Sequence, residues 1–342
     1  MKLEQATIKD IARELNVSSS TVSRALKDYP GISLETKRKV KELADKMNYR
    51  PNAIALSLRK SRSFTIGVII PEVVHFFFST VISGIEAVAN SRGYNVILTQ
   101  TNEKLEREKS SIATMLSNQI DGVLVSYSKE TTDFDHFSRL LDKGFPIVFF
   151  DRVPSIEQSI HVIVDDYSGA YEATKHLLQQ GYQRVLHLAG PSNLKISQER
   201  ARGYKDALKE QGVAFDPAFI VECTKGTDEE AQKIVTEILT SFSTKPDAFF
   251  ANNDMAAVGA MLACKAAGLR VPEDVGIVGF SNWQFCSMID PSLTSVSQPG
   301  FRIGAKATEI LLDLIEKKVS PEDFKESVVL KTELLIRKSS VR

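Results

Sequence analysis

Cysteine and histidine are scarce and scattered in this chain of 342 residues. The three cysteines, Cys223, Cys264 and Cys286, share no short spacing, and the five histidines are equally dispersed. That pattern excludes a zinc module and a disulfide framework, and predicts reduced thiols and no metal centre. No apolar run approaches the ~18 residues of a membrane span, and the start, MKLEQATIKD, has no apolar export core. Neither insertion nor secretion is expected, and the chain reads as cytoplasmic. No GxGxxG or P-loop pattern follows a strand-like run, so no nucleotide cofactor, and no cofactor of any kind, is expected. Local sequence suggests no Ser-His-Asp or Cys-His pairing, which argues against an enzyme.

What is present is globular. With 43% hydrophobic and 25% charged residues and only 12 prolines and 18 glycines, the chain has the composition of packed domains, and its length exceeds what one core usually reaches. Net charge is zero but uneven. Residues 1–62 carry 14 Lys and Arg against 7 Asp and Glu, leaving 29 against 36 for the remainder. A basic end joined to an acidic body points to a polyanionic partner for the first segment only.

That segment has its own pattern. Thr7 with Asp10 forms a capping-box signal, and Ile8, Ile11, Ala12 and Leu15 follow at helical spacing. Asn16 and Val17 break this helix, Ser18 is an N-cap, and Val22, Ala25 and Leu26 give a second short helix its apolar face. Two short helices across a tight turn make a helix-turn-helix, in which the second helix enters the major groove by its amino end. Ser19, Ser20, Thr21 and Arg24 then face bases or phosphates, Arg24 as a fork for guanine, while Ser18 taken alone reads better as a cap. Ser33 opens a third helix with Val40, Leu43, Ala44 and Met47 inward and Lys37, Arg38, Lys39 and Lys41 outward.

The stretch TIKDIARELNVSSSTVSRALKDYPGISLETKRKVKELADKMNYRPNAIALSLRK is similar to the DNA-binding headpiece of the lactose-repressor (LacI/GalR) family, most closely in VSSSTVSRAL and NYRPN. The resemblance implies operator contacts from Thr7, Ser18, Ser19, Ser20, Thr21, Ser23, Arg24 and Tyr49. It also implies a hinge helix ordered on DNA, contributing Asn52, Ala55, Leu58 and Arg59, with Leu58 wedged into the minor groove. Without the family, Leu58 is equally a linker leucine packed on the next domain. Leu56 stands where the family commonly has Arg, which removes one phosphate contact.

From residue 65 the texture changes to short β-branched runs alternating with helical stretches: TIGVIIP, YNVILTQ, DGVLVSY, PIVFFD, RVLHLAG, DAFFANN and VGIVGF. These predict parallel, doubly wound sheets, too much chain for one sheet and so two lobes. Polar residues sit just after the runs: Ser126, Asp151, Asn253, Asp254, Ser281 and Asn282. Ligands collect at such strand ends, although each is also an ordinary turn or cap residue, and Asp254 reads as a cap first.

The order of these runs, with ERARGY, NDMAAVGAM, GLRVPEDVGIVGF and PSLTSVSQP, resembles the periplasmic-binding-protein-like core of the same family. The implied architecture is a small all-α helix-turn-helix headpiece (1–50), a hinge and linker (51–63) and a two-lobed α/β core (64–342), lobe 1 about 64–162 and 293–320, lobe 2 about 163–292 and 321–342. The implied effector residues are Phe78, Ser126, Asp151, Asp165, Arg200, Asn253, Ser281 and Trp283, Arg200 acting as a fork for hydroxyls or a carboxylate. Phe76 to Phe78 read equally as core. Ser281 replaces the aspartate of many sugar-responsive members, and Trp283 offers a stacking face in compensation or a buried core ring. The chain is therefore expected to be a homodimeric bacterial transcription regulator, a repressor, that binds a palindromic operator in double-stranded DNA under the control of a sugar-like effector. It would be nucleoid-associated when bound. No terminal heptad repeat is seen, so no coiled-coil tetramer is expected. The rival reading, a solute-binding protein of a sugar transport system, leaves the first 60 residues unexplained.

Overall fold

The computed structural model describes residues 6–49, 62–324 and 326–342. It divides into two compact units, one ending at Phe64 and one running from Thr65 to Arg342. The expected hinge, with Asn52, Ala55, Leu58 and Arg59, lies outside the described residues.

The first unit holds helices α1 (Ile8–Glu14), α2 (Ser19–Leu26) and α3 (Leu34–Lys46). Thr7 precedes α1, its backbone N–H and hydroxyl both donating to the Asp10 carboxylate, at 2.9 and 2.6 Å. Asn16, at φ 50, supplies the left-handed residue that ends the first helix, a conformation Asn tolerates better than most. The Ser18 and Ser33 hydroxyls accept from Thr21 N and Thr36 N at 3.1 and 3.2 Å, so the two following helices start where their caps dictate. Ile11, Ala12, Val22, Ala25, Val40 and Ala44 then meet in one small core. One expectation for α3 fails. Lys37 does not stand free in solvent: its side chain is 14% exposed, lying on Asp28, whose carbonyl accepts from Nζ at 3.0 Å. Lys41 shares the same carboxylate at 2.9 Å, while Arg38 and Lys39 pair with Glu42 and Glu35 along the helix.

The second unit is built on two six-stranded sheets. The runs read as strands appear as β1 (Thr65–Ile70), β2 (Asn95–Gln100), β3 (Gly122–Val125), β4 (Ile147–Phe150), β6 (Val185–Ala189), β8 (Ala248–Ala251) and β9 (Gly276–Ser281). Further strands are β5 (Ile160–Val164), β7 (Ile220–Glu222), β10 (Thr294–Ser297), β11 (Val328–Leu330) and β12 (Glu333–Leu335). Their order is β11-β5-β4-β3-β1-β2 in one sheet and β12-β10-β9-β8-β6-β7 in the other, all parallel except the β10/β12 pair. Helices on both faces bury the central strands, as continuous apolar runs require.

The expected lobe boundaries need correction. β10, expected in the first lobe, pairs with β9 of the second sheet (Val296↔Phe280), and β11, expected in the second, pairs with β5 of the first (Val329↔Ile163). The chain passes from one sheet to the other at 164–166, 297–300 and 330–333. Such membership depends on pairing between distant segments, which local pattern does not carry.

In lobe 1, α4 (Phe76–Ser91) packs on α11 (Gly300–Ile315) at backbone contact distance. A Cβ on Gly84 would fall 2.1 Å from the Phe301 carbonyl oxygen, and one on Gly304 2.0 Å from that of Val81. Here glycine is required because backbone, not a yielding side chain, occupies the space. In lobe 2 the fully buried His187 stacks on Phe250, centroids 4.7 Å apart, and its Nδ1 donates to the Phe250 carbonyl at 3.0 Å. Burial pulls its pKa from 6.5 to about 4.

Two predictions follow from this packing. Gly304→Ala forces α4 and α11 apart and is expected to cost about 1–3 kcal/mol in urea unfolding; an unchanged midpoint would show that the helices part freely. His187 is neutral in the fold but takes a proton in the unfolded chain below pH 6.5, so its contribution is complete above 6.5 and lost as pH falls toward 4. Replacing it (His187→Gln) should flatten the stability slope in that window by up to about 1.4 kcal/mol per pH unit. A slope equal to that of the parent protein would contradict the assignment.

Candidate functional site

Two surfaces carry the expected residues. On the headpiece, Ser19 and Ser20 are exposed and Thr21 half-buried in the first turn of α2, with half-buried Ser23 and exposed Arg24 further along, Arg24 in the last turn. Ser18 is occupied as the cap, and its hydroxyl also meets those of Ser20 and Thr21 at 2.7 and 2.8 Å. Ser18, Ser20 and Thr21 are thus tied together at a helix amino end, where backbone N–H groups favour an anion. Arg24 lies over the exposed Tyr29 ring, 5.7 Å from its centroid, a partner that sequence reasoning missed. Tyr49 packs its ring against the headpiece core, and burial raises its hydroxyl above the ordinary range. Among the described residues, Lys9, Arg24, Lys27 and Lys46 have no carboxylate within ion-pair distance, so the positive charge left uncompensated includes the amino half of the helix-turn-helix.

In the core, the carboxyl ends of both sheets face one cleft. It brings together Phe78, Asp151, Arg200, Asn253, Ser281 and Trp283. Ser126 and Asp165 do not line it. Ser126 is buried behind Asp151 and donates to its Oδ2 at 3.3 Å. Asp165 caps α7 (Asp166–Gln179), accepting from Ser168 N at 2.9 Å.

Arg200 stands on α8 (Lys195–Glu210) and is only 4% exposed. Its Nε and Nη2 reach Asp166 Oδ1 at 2.8 and 2.7 Å, Nη1 donates to the Asn252 carbonyl at 2.6 Å, and the guanidinium lies 3.7 Å over the Phe280 ring. Five N–H donors against these acceptors leave two spare on a residue that lines the cleft. Burial pushes the Asp166 carboxyl up to about 6 and Asp151 also upward, with the neighbouring guanidinium groups opposing. Asp151 holds φ 61 and Ser281 φ 111, left-handed conformations that place both side chains at sharp turns off strand ends. The Ser281 hydroxyl donates to Gln298 Oε1 at 2.8 Å.

Asn253, not Asp254, caps α10 (Asp254–Ala266), accepting from Ala256 N at 2.8 Å. Asp254 is instead buried, taking the Ser295 hydroxyl at 2.5 Å and Trp283 N at 2.8 Å. That anchor holds Trp283 as a half-buried wall of the cleft, edge-on to His75 of the other lobe at 5.8 Å. Sequence reasoning missed His75, Asp166, Asn252 and Gln298. Asp166 was hidden by its neighbour: of two adjacent aspartates after β5, one caps and the other pairs with Arg200. Asn252 Oδ1 and Gln298 Nε2 are buried without a hydrogen-bond partner among the described residues, and both line the cleft. Unpaired polar atoms at a cleft wall are what a hydroxylated ligand would satisfy. No cluster suited to a metal ion occurs among the described residues.

A two-lobed binding core with a ligand cleft, joined in sequence to a helix-turn-helix, defines the class of ligand-responsive DNA-binding proteins. Residues 63–334 match the family described as periplasmic binding proteins and sugar binding domain of LacI family, and residues 7–52 match bacterial regulatory proteins, lacI family. The chain belongs to the LacI family and is a DNA-binding transcription regulator. It is 33% identical to the HTH-type transcriptional repressor PurR of Vibrio vulnificus, over 97% of this chain and 98% of that protein. It is 34% identical to the HTH-type transcriptional repressor CytR of Escherichia coli, over 91% and 90%. A lac repressor dimer bound to operator shares the fold, with a TM-score of 0.88 over 99% of this chain and 100% of that one at 24% identity. A LacI family regulator from Enterococcus faecium with bound ribose superposes with a TM-score of 0.69 at 30% identity, over 81% of this chain and 98% of that one.

Truncating Arg200 to Ala strands Asp166 in the interior, and breaking a buried pair from one side costs about 3–5 kcal/mol. Urea unfolding of Arg200→Ala should show a loss of that size; a loss below about 1 kcal/mol would mean the pair does not organise the cleft.

Proposed function

We propose that the chain is a homodimeric repressor that binds a palindromic operator and is controlled by a sugar or sugar derivative held between the core lobes. The observation that carries the effector reading is Arg200, fixed on three sides with N–H donors to spare, in a cleft wall that also holds the unpaired Asn252 Oδ1 and Gln298 Nε2. In this reading Arg200, Asp151 and Asn253 grip hydroxyls, Phe78 and Trp283 form the apolar wall, and Ser281 contributes through Gln298. Ser126 and Asp165 act from behind, by holding Asp151 and the start of α7. The ribose seen in the Enterococcus faecium regulator supports a sugar as the ligand class.

On DNA, Ser19, Ser20, Thr21, Ser23 and Arg24 are assigned to the major groove, with Thr7, Ser18 and Tyr49 at the flanking backbone and Asn52, Ala55, Leu58 and Arg59 at the minor groove. The dimer is supported by the edge strand β2, whose Ile97 and Leu98 are 38% and 40% exposed, a surface suited to an isologous contact. Binding rather than catalysis fits the cleft chemistry. The Cys223 thiol in its wall donates to Glu230, and burial pushes its pKa up to about 12, which leaves it protonated and a poor nucleophile.

Selection from a random duplex pool with the full-length protein should enrich a two-fold symmetric site. Arg24→Ala should then lose about 1–3 kcal/mol and relax preference at one position of each half-site. Loss that is uniform over all sequences would make Arg24 a phosphate contact, and enrichment of an asymmetric site would contradict the symmetric dimer.

A further inference from the structure

We propose that the effector is an anionic sugar, a monosaccharide carrying a phosphate or a carboxylate, whose acidic group is held between Lys129 of one lobe and Lys225 of the other. This deepens the reading of the cleft as an effector site and rests on it. The cleft wall contains the cations Lys129, Arg152, Arg200 and Lys225 and the carboxylates Glu103 and Asp151.

Each acidic group near these cations is already committed. Glu103 binds Arg152 in bidentate fashion, both contacts at 2.8 Å, and also accepts from the backbone N–H of Lys129 at 2.7 Å. Arg200 is matched by Asp166 behind it. Glu130 pairs with Lys104. Glu230 receives the backbone N–H groups of Lys225 and Gly226, the Cys223 thiol and the Thr224 hydroxyl. Asp151 lies under the guanidinium groups, with burial pushing its carboxyl toward the neutral form. Neither lysine ammonium has a carboxylate within ion-pair distance among the described residues. The side chain of Arg152, 12% exposed in the same wall, keeps a buried Nε with no partner.

The two lysines come from loops that touch across the cleft. Lys129 Nζ donates to the Thr224 carbonyl at 3.3 Å, one residue before Lys225, and Asn193 Nδ2 donates to the Lys129 carbonyl at 2.8 Å. An anion seated here would bind both lobes at once. It would therefore favour the closed arrangement over an open one, the differential affinity that a controlling ligand must have. Phosphate oxygens accept several charge-assisted hydrogen bonds, which a hydroxyl in the same place does not. The polyol part would remain for Arg200, Asn252 and Gln298.

Calorimetric titration of the full-length protein at low salt with ribose against ribose 5-phosphate, and with glucose against glucose 6-phosphate and glucuronate, tests the proposal. An acidic sugar should bind at least about tenfold tighter than its neutral parent, about 1.4 kcal/mol, and the advantage should shrink at high salt. The phosphate and glucuronate arms separate the two acidic groups. In Lys129→Gln/Lys225→Gln the advantage should vanish, and in Lys129→Arg/Lys225→Arg it should persist. Thermal melting without ligand confirms that both variants fold. A neutral parent that binds as tightly as its acid, or an advantage that survives the glutamine pair, overturns the proposal while leaving the sugar reading intact. Binding of none of these sugars overturns both.

Discussion

A guanidinium that is almost wholly buried must be matched where it stands, because an uncompensated charge in a protein interior costs several kcal/mol. Arg200 is matched by Asp166 at the start of the helix after the first crossing, by the carbonyl of Asn252 after β8, and by the face of Phe280 on β9. Three segments far apart in sequence are thereby fixed at one point. The cleft wall of lobe 2 is organised around that point, and Arg200 itself lines the cleft.

The same logic runs through the neighbouring wall. Asp254, buried and pushed up to about 6 by that burial, takes the Ser295 hydroxyl and the Trp283 backbone N–H. It ties α10 to β10 and sets the tryptophan at the cleft edge, where it meets His75 of the other lobe. Buried polar groups that are fully paired give a site whose walls do not move independently. Asn252 Oδ1, Gln298 Nε2 and Arg152 Nε have no hydrogen-bond partner among the described residues, and all three residues stand in the cleft wall. The headpiece depends on none of this, since its three helices close on their own small core around Ile11, Val22 and Val40.

Much of this architecture was readable from the chain. Caps at Ser18 and Ser33 and the apolar spacing of Ile11, Val22 and Val40 located the headpiece helices, and β-branched runs located the central strands. β10, TSVS, escaped because its serine and threonine side chains are buried for hydrogen bonding, Ser295 to Asp254 and Thr294 to the Arg337 carbonyl, rather than for apolar packing. Lobe membership of β10 and β11 followed from long-range pairing. The cleft residues placed by family resemblance, Arg200, Asp151 and Asn253, do meet, but their partners Asp166, Asn252 and Gln298 are defined only by three-dimensional proximity. Lys37 departs from its expected outward position because a Lys stem lies well on a neighbouring turn when a carbonyl and a carboxylate there receive its ammonium.

In the proposed function, occupation of the cleft is coupled to the DNA-binding headpiece. The direct measurement is operator affinity of the full-length protein by fluorescence anisotropy, with and without a saturating sugar that binds the cleft. Coupling of roughly 1–3 kcal/mol would shift the affinity by about 5- to 150-fold, in either direction. Such a shift is expected, as is its loss when Arg200 is replaced. An operator affinity unchanged by a bound, saturating ligand would contradict the coupling.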